Sequence, residues 1–441
     1  MGSFSTPLSG LTAAQADLQN VSNNLANIDT DGYKDQNLSF SAVFAQTGET
    51  NGSGDPLQTG SGVIVAATDA DFSEGSLNAT GTASNMALSG NGFFVTQNTS
   101  GALDYTRAGD FSTNSSGNIV TPSGETVLGY PAVNGVVNTA ASLQPLQVGT
   151  GVTSPAVASS DFQISANLNA SAAVGTTASS TLPVFDSLGT AHTLSVTYTM
   201  AAPNTWTYSV SMPTTDLIPL PAVTPPAVVP PDTVVGTGTL NFNSAGVLIS
   251  ADPTGVAVAT TPTVGIPLTL PPVAVAPAVQ TTFADGAATM NLKWNLVTAG
   301  VPSITQTATP SATSATSTNG FASGTLQTFA VQPDGTIEGT FSSGQTLALG
   351  QVAVAAFANN QGLVAVGNSN YQPTAASGAA VVGLAGTGGR ATVVGGSVEQ
   401  SNVDIATEFA RLIVAQQAYS ANAKSITTFN TVSQATLAMI Q

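Results

Sequence analysis

The chain has 441 residues, and only 7% of them are charged, against about 25% in typical globular domains. Its formal net charge is −17, and its six Lys and Arg residues are spread along the whole sequence. Such a chain lacks a basic patch for phosphate groups, which argues against nucleic acid and anionic membrane surfaces as partners. It also has no Cys, which excludes disulfide bonds and thiol chemistry.

The N-terminal region carries no basic residue before Lys34 and lacks the apolar core of a secretory signal peptide. No apolar run reaches the ~18 residues that a membrane-spanning helix needs, so we expect no membrane insertion. A chain rich in Ala, Gly, Ser, Thr and Asn and free of Cys nevertheless resembles extracellular proteins in composition. This combination predicts export by a route other than the ordinary cleaved signal.

A helix is predicted over residues 1–34, with Thr6-Pro7 near its start and Gly32 as its stop. Its apolar residues recur at alternating spacings of three and four, as in a coiled-coil seam. The positions between them are Thr, Gln, Asn and Ser, with Asp17 as the one charge from Leu11 to Ile28. The seam residues are Leu11, Leu18, Val21, Leu25 and Ile28, together with Ala14.

The sequence between the two ends is of β type, with β-branched and aromatic residues between Gly, Asn and Asp turns. We predict a connecting segment at 35–71, a discontinuous β-rich middle domain at 72–147 and 325–395, and an outer β-domain at 148–324. A hairpin is predicted around Pro203-Asn204. The Pro-rich stretches 218–232 and 262–279 are interpreted as loops or insertions, because Pro disrupts central strands.

The β region offers little support for catalysis or metal binding. His192 is the single histidine, and the alternating pattern around it favours a structural role. "DTDGYKD" at 29–35 lacks the later ligands of a calcium loop and is better explained as a helix stop and turn. The remaining candidate acids sit beside Gly or Ser, where Asp favours turns; they are Asp71, Glu74, Asp104, Asp110 and Asp186. We therefore expect no catalytic residue, no cofactor and no metal.

The C-terminal segment 396–441 predicts a second helix, starting at a cap-like Ser401-x-x-Asp404. It too has an apolar stripe at spacings of three and four, and its four charges sum to zero. A helix over 401–441 would be roughly 60 Å long, so it needs a partner. The stripe residues are Ile405, Phe409, Leu412, Tyr419 and Ile426.

These patterns predict an α+β, mainly β protein. The terminal helices pair as a coiled-coil-like inner domain, and two or more outer β-domains are inserted between them. Burying an unpaired charge is costly, whereas a neutral amide or hydroxyl finds a partner more easily. Apolar seams flanked by neutral polar faces therefore suggest helices packed among other copies of the chain. A helical hairpin packed on its own β-domain remains the simpler alternative.

The two ends resemble the paired terminal motifs of the bacterial flagellar rod and hook proteins. The N-terminal match is "LSGLTAAQADLQNVSNNLANIDTDGYK", and the C-terminal match is "VEQSNVDIATEFARLIVAQQAYSANAKSITT". The interior segments "FDSLGTAHTLSVTYT" and "SSGQTLALGQVAVAAFANNQGL" are similar to the hook branch of this family. One departure is Gln417, where the family often has Arg.

The resemblance implies a structural, non-enzymatic hook subunit that polymerises into a curved hollow helical tube. This tube is the universal joint between the rod and the filament, and the terminal helices form its inner wall. The implied partners are other copies of the chain, the rod, hook-cap and hook–filament junction proteins, and the flagellar type III export apparatus. Phe40 and Phe44, in "FSAVF", resemble the motif by which early substrates engage the export gate.

Two alternatives stay open at this point. A distal-rod subunit shares both terminal motifs, although the long insertion between about 148 and 325 favours the hook. An extracellular β-rich adhesin or carbohydrate-active enzyme would need carboxylates that converge in a groove.

Overall fold

The computed structural model describes residues 5–43, 46–50, 56–149, 151–217, 232–253, 266–270, 283–298 and 301–440. Within these ranges two α-helices lie at the two ends of the sequence, α1 (Ser5–Ala26) and α2 (Ile405–Ile440), and the elements between them are mainly strands. This arrangement confirms the predicted α+β, mainly β class.

The helix boundaries follow local chemistry. Asp404 caps α2, because its Oδ1 accepts a hydrogen bond from the Thr407 N–H at 2.7 Å, so this helix begins four residues later than the sequence pattern predicts. The helix α1 ends at Ala26 rather than near Gly32, and turns occupy the residues between. Gly32 adopts a φ of +68°, and a Cβ there would lie 2.4 Å from the Ala108 nitrogen.

The chain forms two compact units. The first comprises Met1–Val152, Leu326–Thr340 and Thr346–Gln441, and the second comprises Thr153–Thr325 and Phe341–Gln345.

The first unit contains both helices and a large sheet. The order of strands along this sheet is Gly324–Val331, Thr336–Phe341, Thr346–Ala356, Thr126–Val133, Phe93–Gln97, Leu103–Thr106, Asn370–Gln372 and Val364–Gly367. Short strands flank it at Ser112–Thr113, Ile119–Val120, Val136–Val137, Gln144–Pro145 and Val381–Leu384. A 3₁₀ turn lies at Asn360–Gly362.

Four antiparallel pairs complete the first unit. They are Gln36–Ala42 with Val63–Ala70, Gln46–Thr50 with Pro56–Thr59, Met86–Ser89 with Thr392–Gly395, and Leu77–Ala79 with Ser397–Glu399. The last two pairs join the strands that follow α1 in sequence to the strands that precede α2. The chain termini are therefore brought together by strand pairing as well as by the helices.

The second unit contains two five-stranded sheets. One has the order Thr177–Phe185, Ala191–Ala202, Thr205–Pro213, Asp232–Phe242 and Leu248–Pro253. In the other, Asp161–Asn169 pairs with Met290–Trp294, Ile304–Thr307 and Ala312–Thr318, and Ile266–Leu270 lies at an edge. Shorter elements are the strands Thr153–Ser154, Val297–Thr298 and Val301–Pro302 and the 3₁₀ turn Thr214–Asp216.

Strict alternation of buried and less buried residues builds the core of the second unit. Strand Asp161–Asn169 alternates along its whole length, as expected where one face of a sheet is covered. Both Trp residues of the chain, Trp206 and Trp294, are fully buried in this core. The predicted hairpin is confirmed, because Ala191–Ala202 and Thr205–Pro213 pair antiparallel around Asn204.

One prediction for the Pro-rich stretches is wrong in part. Ile266–Leu270, expected to be a loop, is a strand paired antiparallel with Met290–Trp294. It occupies a sheet edge, where Pro267 is tolerated because its missing N–H need not bind a second neighbour. Most of the rest of stretches 218–232 and 262–279 lies outside the described residues.

Candidate functional site: the paired terminal helices

The two helices pack against each other in an antiparallel arrangement. Gly10, in the first half of α1, lies against Asn422 of α2, and a Cβ at this glycine would be 2.8 Å from the Asn422 Oδ1. Asn24, near the other end of α1, reaches Glu408 in the first turn of α2. The close approach at Gly10 is possible because glycine has no side chain, and Ala14 of α1 and Ala415 of α2 are also buried.

The predicted seam of α1 lies on the packed side of the helix. Val21 is fully buried, and Leu11, Leu18 and Leu25 are half-buried. Ile28 follows the helix in the turn and is also half-buried.

The predicted stripe of α2 divides into two sets. Leu412 and Ile426 are half-buried. By contrast, Ile405, Phe409 and Tyr419 remain 52%, 48% and 39% exposed. Further large apolar side chains of α2 are also exposed, namely Ile413, Val414, Phe429, Val432, Leu437 and Met439. One copy of the chain therefore buries only part of the apolar surface of this helix.

A buried polar network holds α1 and α2 in register. The Asn24 side chain is fully buried; its Nδ2 donates to Asp35 Oδ1 at 2.5 Å and to Glu408 Oε2 at 3.3 Å. Its Oδ1 accepts from the Tyr33 hydroxyl and the Gln36 N–H, at 3.0 and 3.1 Å. Every polar atom of this amide is thus engaged, so the contact specifies one alignment of the helices.

Electrostatics around this network reflect its burial. Burial, followed by the charges of Asp35 and Glu408, raises the pKa of Tyr33 to about 12. Burial also raises the pKa of Asp35, although the nearby Arg411 guanidinium opposes that shift. Arg411 lies 2.8 Å from Glu408 Oε1 and 3.6 Å from Asp35 Oδ2, so it partly neutralises both acids.

A buried ion cluster connects the segment after α1 to the strand before α2. Lys34 Nζ lies 2.5 Å from Glu399 Oε1, and Arg107 Nε lies 3.1 Å from Glu399 Oε2 as an ion pair rather than as an aligned hydrogen bond. All three side chains are at most 3% exposed. Burial lowers the pKa of Lys34, and the Glu399 carboxylate opposes that shift.

Backbone groups supply further hydrogen bonds to the cluster. Lys34 donates to the Ser73 carbonyl at 2.6 Å, and the Gly75 N–H donates to Glu399 Oε1 at 2.9 Å. The Arg107 guanidinium donates to the carbonyls of Gly90 and Gly92. Buried charges are stable only with such partners, so this cluster fixes the junction of both helices with the β structure of the first unit.

The apolar pattern of the sequence does not predict this junction. Lys34 and Glu399 both lie within the terminal motifs, and Lys34 is one of only six basic residues in the chain. That scarcity is the signal that could have identified it, because a rare charge inside a motif is rarely placed on a solvated face by chance.

The carboxylates considered as catalytic candidates serve local structure. Asp71 accepts from the Ser73 N–H, Glu74 accepts from the Gly90 N–H, and Asp104 accepts from Asn98 and Gln372. Asp110, whose pKa is raised by burial, lies in the first unit with these three. These contacts are those of turn and strand-end residues rather than of a paired acid and base.

Within the second unit, His192 lies among carboxylates. Asp186, His192 and Asp285 each offer one possible metal-ligand atom, and these atoms lie within 4.8 Å of one another. However, Asp285 Oδ1 already accepts from the Ala287 N–H and its Oδ2 from the Thr190 hydroxyl, while Asp186 Oδ2 bonds the His192 ring. The protein itself satisfies these atoms, and we assign no metal to them.

The export-gate motif is described only in part. Phe40 lies on the strand Gln36–Ala42 and is 43% exposed, whereas Phe44 lies outside the described residues. No helix in the described part of the chain combines the length and the apolarity needed to cross a bilayer.

Comparison with known proteins first defines the class to which this protein belongs. Residues 4–34 match the family "Flagella basal body rod protein", and residues 394–439 match "Flagellar basal body rod FlgEFG protein C-terminal". Residues 87–168 match "Flagellar hook protein FlgE/F/G D1 domain", and residues 158–321 match "Flagellar basal body protein FlaE D2 domain". The chain is therefore an axial protein of the rod and hook class.

Full-length relatives specify the family further. The flagellar hook protein FlgE of Escherichia coli (strain K12) is 31% identical, with 96% of each chain covered. That of Salmonella typhimurium is 32% identical, with 97% of each chain covered. The crystal structure of Helicobacter pylori flagellar hook protein FlgE2 aligns with 73% of this chain and all of its own, at 15% identity and a TM-score of 0.47.

The chain belongs to the flagellar hook protein FlgE family and is a structural subunit of the bacterial flagellar hook. Of the two alternatives left open by the sequence, the distal rod shares the terminal motifs, but the relatives that match along nearly the whole chain carry the hook name.

Proposed function

We propose that this subunit polymerises with copies of itself into a curved, hollow helical tube that acts as a universal joint between rod and filament. The observation that carries the proposal is the exposed apolar surface of α2, where Ile405, Phe409 and Tyr419 are at least 39% exposed in one copy. Burial of apolar surface contributes about 25 cal/mol per Å², so such a stripe favours association.

The seam residues have two roles in this proposal. One set pairs α1 with α2 inside a copy: Leu11, Leu18, Val21, Leu25, Leu412 and Ile426. The other set contacts neighbouring copies: Ile405, Phe409 and Tyr419. Ile28 joins the pair to the turn that leads to the β structure. The neutral Asn, Gln, Ser and Thr residues between them allow dense packing without stacking like charges around the tube.

The proposal also gives a role to each predicted domain. Residues 1–34 and 396–441 form the inner domain, 35–71 connects it outward, 72–147 with 325–395 forms the middle domain, and 148–324 forms the outer domain. The outer domains make polar, exchangeable contacts as the tube rotates while bent. The role is mechanical and needs neither catalysis nor a cofactor or metal.

The proposed partners are other flagellar components. The ends of the tube meet rod, hook-cap and hook–filament junction proteins. The subunit leaves the cell through the flagellar type III export apparatus without a cleaved signal peptide, and Phe40 with Phe44 engages the export gate.

The test replaces Phe409 by Asp, alone and with Tyr419→Asp. A charge buried between copies costs several kcal/mol, so we expect the concentration needed for polymerisation to rise by more than about 100-fold. Electron micrographs of cells carrying the variant should lack hooks. Val174→Asp is the control, since Val174 is an exposed apolar residue of the second unit and its replacement should leave assembly within about threefold of wild type.

Folding is checked separately in the same variants. Trp206 and Trp294 report on the core of the second unit, and far-ultraviolet circular dichroism reports on the whole chain. Normal hooks built from folded Phe409→Asp protein would overturn the proposed seam.

A further inference from the structure

The single histidine has a carboxylate on each of its ring nitrogens. Nδ1 of His192 lies 3.0 Å from Asp216 Oδ2, and Nε2 lies 3.0 Å from Asp186 Oδ2. An ionised carboxylate only accepts hydrogen bonds, so both nitrogens must donate, and only the doubly protonated imidazolium has two N–H groups. The geometry therefore fits a charged ring between two ionised carboxylates.

The surroundings of the ring reinforce this protonation state. Asp186 is fully buried, and its other oxygen accepts from the backbone N–H groups of Leu188 and Thr190, at 2.8 and 2.9 Å. Asp186, Asp216 and Asp285 are the charged groups that face His192 in the described part of the chain, and all three are acidic. No Lys or Arg of that part pairs with them, so the imidazolium is their cationic partner.

The cluster joins segments that are far apart in the sequence. Asp186 lies in the turn between Thr177–Phe185 and Ala191–Ala202, whereas Asp216 lies in the 3₁₀ turn after Thr205–Pro213. Leu217 forms an antiparallel bridge with Phe283, whose ring stacks on His192 at 4.6 Å. His192 thus holds together the points where the Pro-rich part of the chain starts and ends.

We propose that His192 is a pH-sensitive clasp of the second unit, closed while the ring carries both protons. Loss of one proton leaves the lone pair of a buried ring nitrogen 3.0 Å from a carboxylate oxygen, which is repulsive. The stabilisation therefore needs the doubly protonated ring together with ionised carboxylates, and it is lost when the ring gives up a proton at higher pH. The inference concerns the second unit alone and does not depend on how copies assemble.

The first test reads the ring directly in the wild-type full-length chain. Labelling with ¹⁵N-histidine gives one signal pair, because the chain has one His. We expect both nitrogens to show the imidazolium type at pH 7, with a change to the neutral type at higher pH. A neutral ring at pH 7, with one protonated and one unprotonated nitrogen, would overturn the clasp.

The second test follows unfolding of the second unit by fluorescence of Trp206 and Trp294, both buried in its core. In the wild type we expect the unfolding temperature to fall by at least about 2 °C between pH 6 and pH 9. His192→Gln and Asp216→Asn should remove this pH-dependent difference, whereas Asp232→Asn, at an exposed carboxylate of the same unit, should retain it. The same fall in His192→Gln as in the wild type would contradict the proposal.

A zinc titration at pH 7 separates the clasp from a metal site. We expect no stoichiometric uptake and no rise in the unfolding temperature. Tight binding of one Zn²⁺ that converts the ring to a neutral ligand would replace the clasp with a metal centre and overturn the proposal.

Discussion

At the scale of single residues, several of the few charged side chains of this protein meet in buried clusters that stabilise its fold. In a chain with 7% charged residues, Lys34, Arg107 and Glu399 meet in one buried cluster, and Asp186 and His192 meet in another. The scarcity of charge singles out these residues, but the sequence does not show which of them meet, because the partners are hundreds of residues apart or are brought together by turns. The sequence pattern favoured a structural role for His192 but did not reveal its carboxylate partners.

Glu399 gives the sharpest test at this scale. Replacing it by Gln leaves Lys34 and Arg107 buried without a counter-charge, and breaking a buried pair in this way costs about 3–5 kcal/mol. We expect the first unit to unfold at lower temperature in a calorimetric scan, while the Trp fluorescence transition of the second unit is unchanged.

The control for this variant is Glu74→Gln, at an exposed carboxylate that accepts one backbone hydrogen bond. It should change stability by less than about 1 kcal/mol. An equal loss of stability in Glu399→Gln and Glu74→Gln would show that the ion cluster does not specifically stabilise the junction.

At the scale of elements, the period of apolar residues predicted both terminal helices. The start of α2, however, is determined by its capping residue. The pattern placed the start of α2 near Ser401, but Asp404 is the residue whose carboxylate bonds the first turn. The pattern also could not divide the α2 stripe into the face packed on α1 and the face left exposed. That division depends on Asn24 and Glu408, a buried polar pair that an apolar pattern does not reveal.

Strand predictions succeeded where alternation was regular and failed where Pro was taken as decisive. Ala191–Ala202 of the predicted hairpin alternates along most of its length, but Ile266–Leu270 is a strand despite Pro267. Whether a proline falls on an edge strand is a property of the sheet order, which the sequence does not contain.

The cap of α2 predicts a pH response. The backbone and side-chain hydrogen bonds from Thr407 lower the pKa of Asp404, so its stabilisation is present above the ordinary value of 3.8 and is lost as pH falls through the lowered value. Asp404→Ala should increase amide exchange of Thr407 and the rest of the first turn at neutral pH.

Asp404→Asn is the matched variant, because its amide oxygen still caps the helix but does not titrate. We expect its amide exchange to match that of the wild type at neutral pH, and its first turn to stay protected at the low pH where the wild type loses the ionised cap. If Asp404→Ala exchanges no faster than Asp404→Asn, the cap does not define the start of α2.

At the scale of the whole molecule, the proposed assembly depends on what covers the exposed side of α2. The helix is about 54 Å long, and its last three turns carry Val432, Leu437 and Met439 on the surface of a single copy. Membership of the FlgE family explains why such a surface exists, since a hook is built from subunits. The β structure of the first unit and the buried junction at Glu399 then hold the helix pair in position.

Helical reconstruction of the assembled polymer by electron cryo-microscopy tests this claim most directly. We expect Ile405, Phe409 and Tyr419, at least 39% exposed in one copy, to become buried against α1 or α2 of other copies. A polymer in which these three side chains face solvent, or contact only the helices of their own copy, would contradict it.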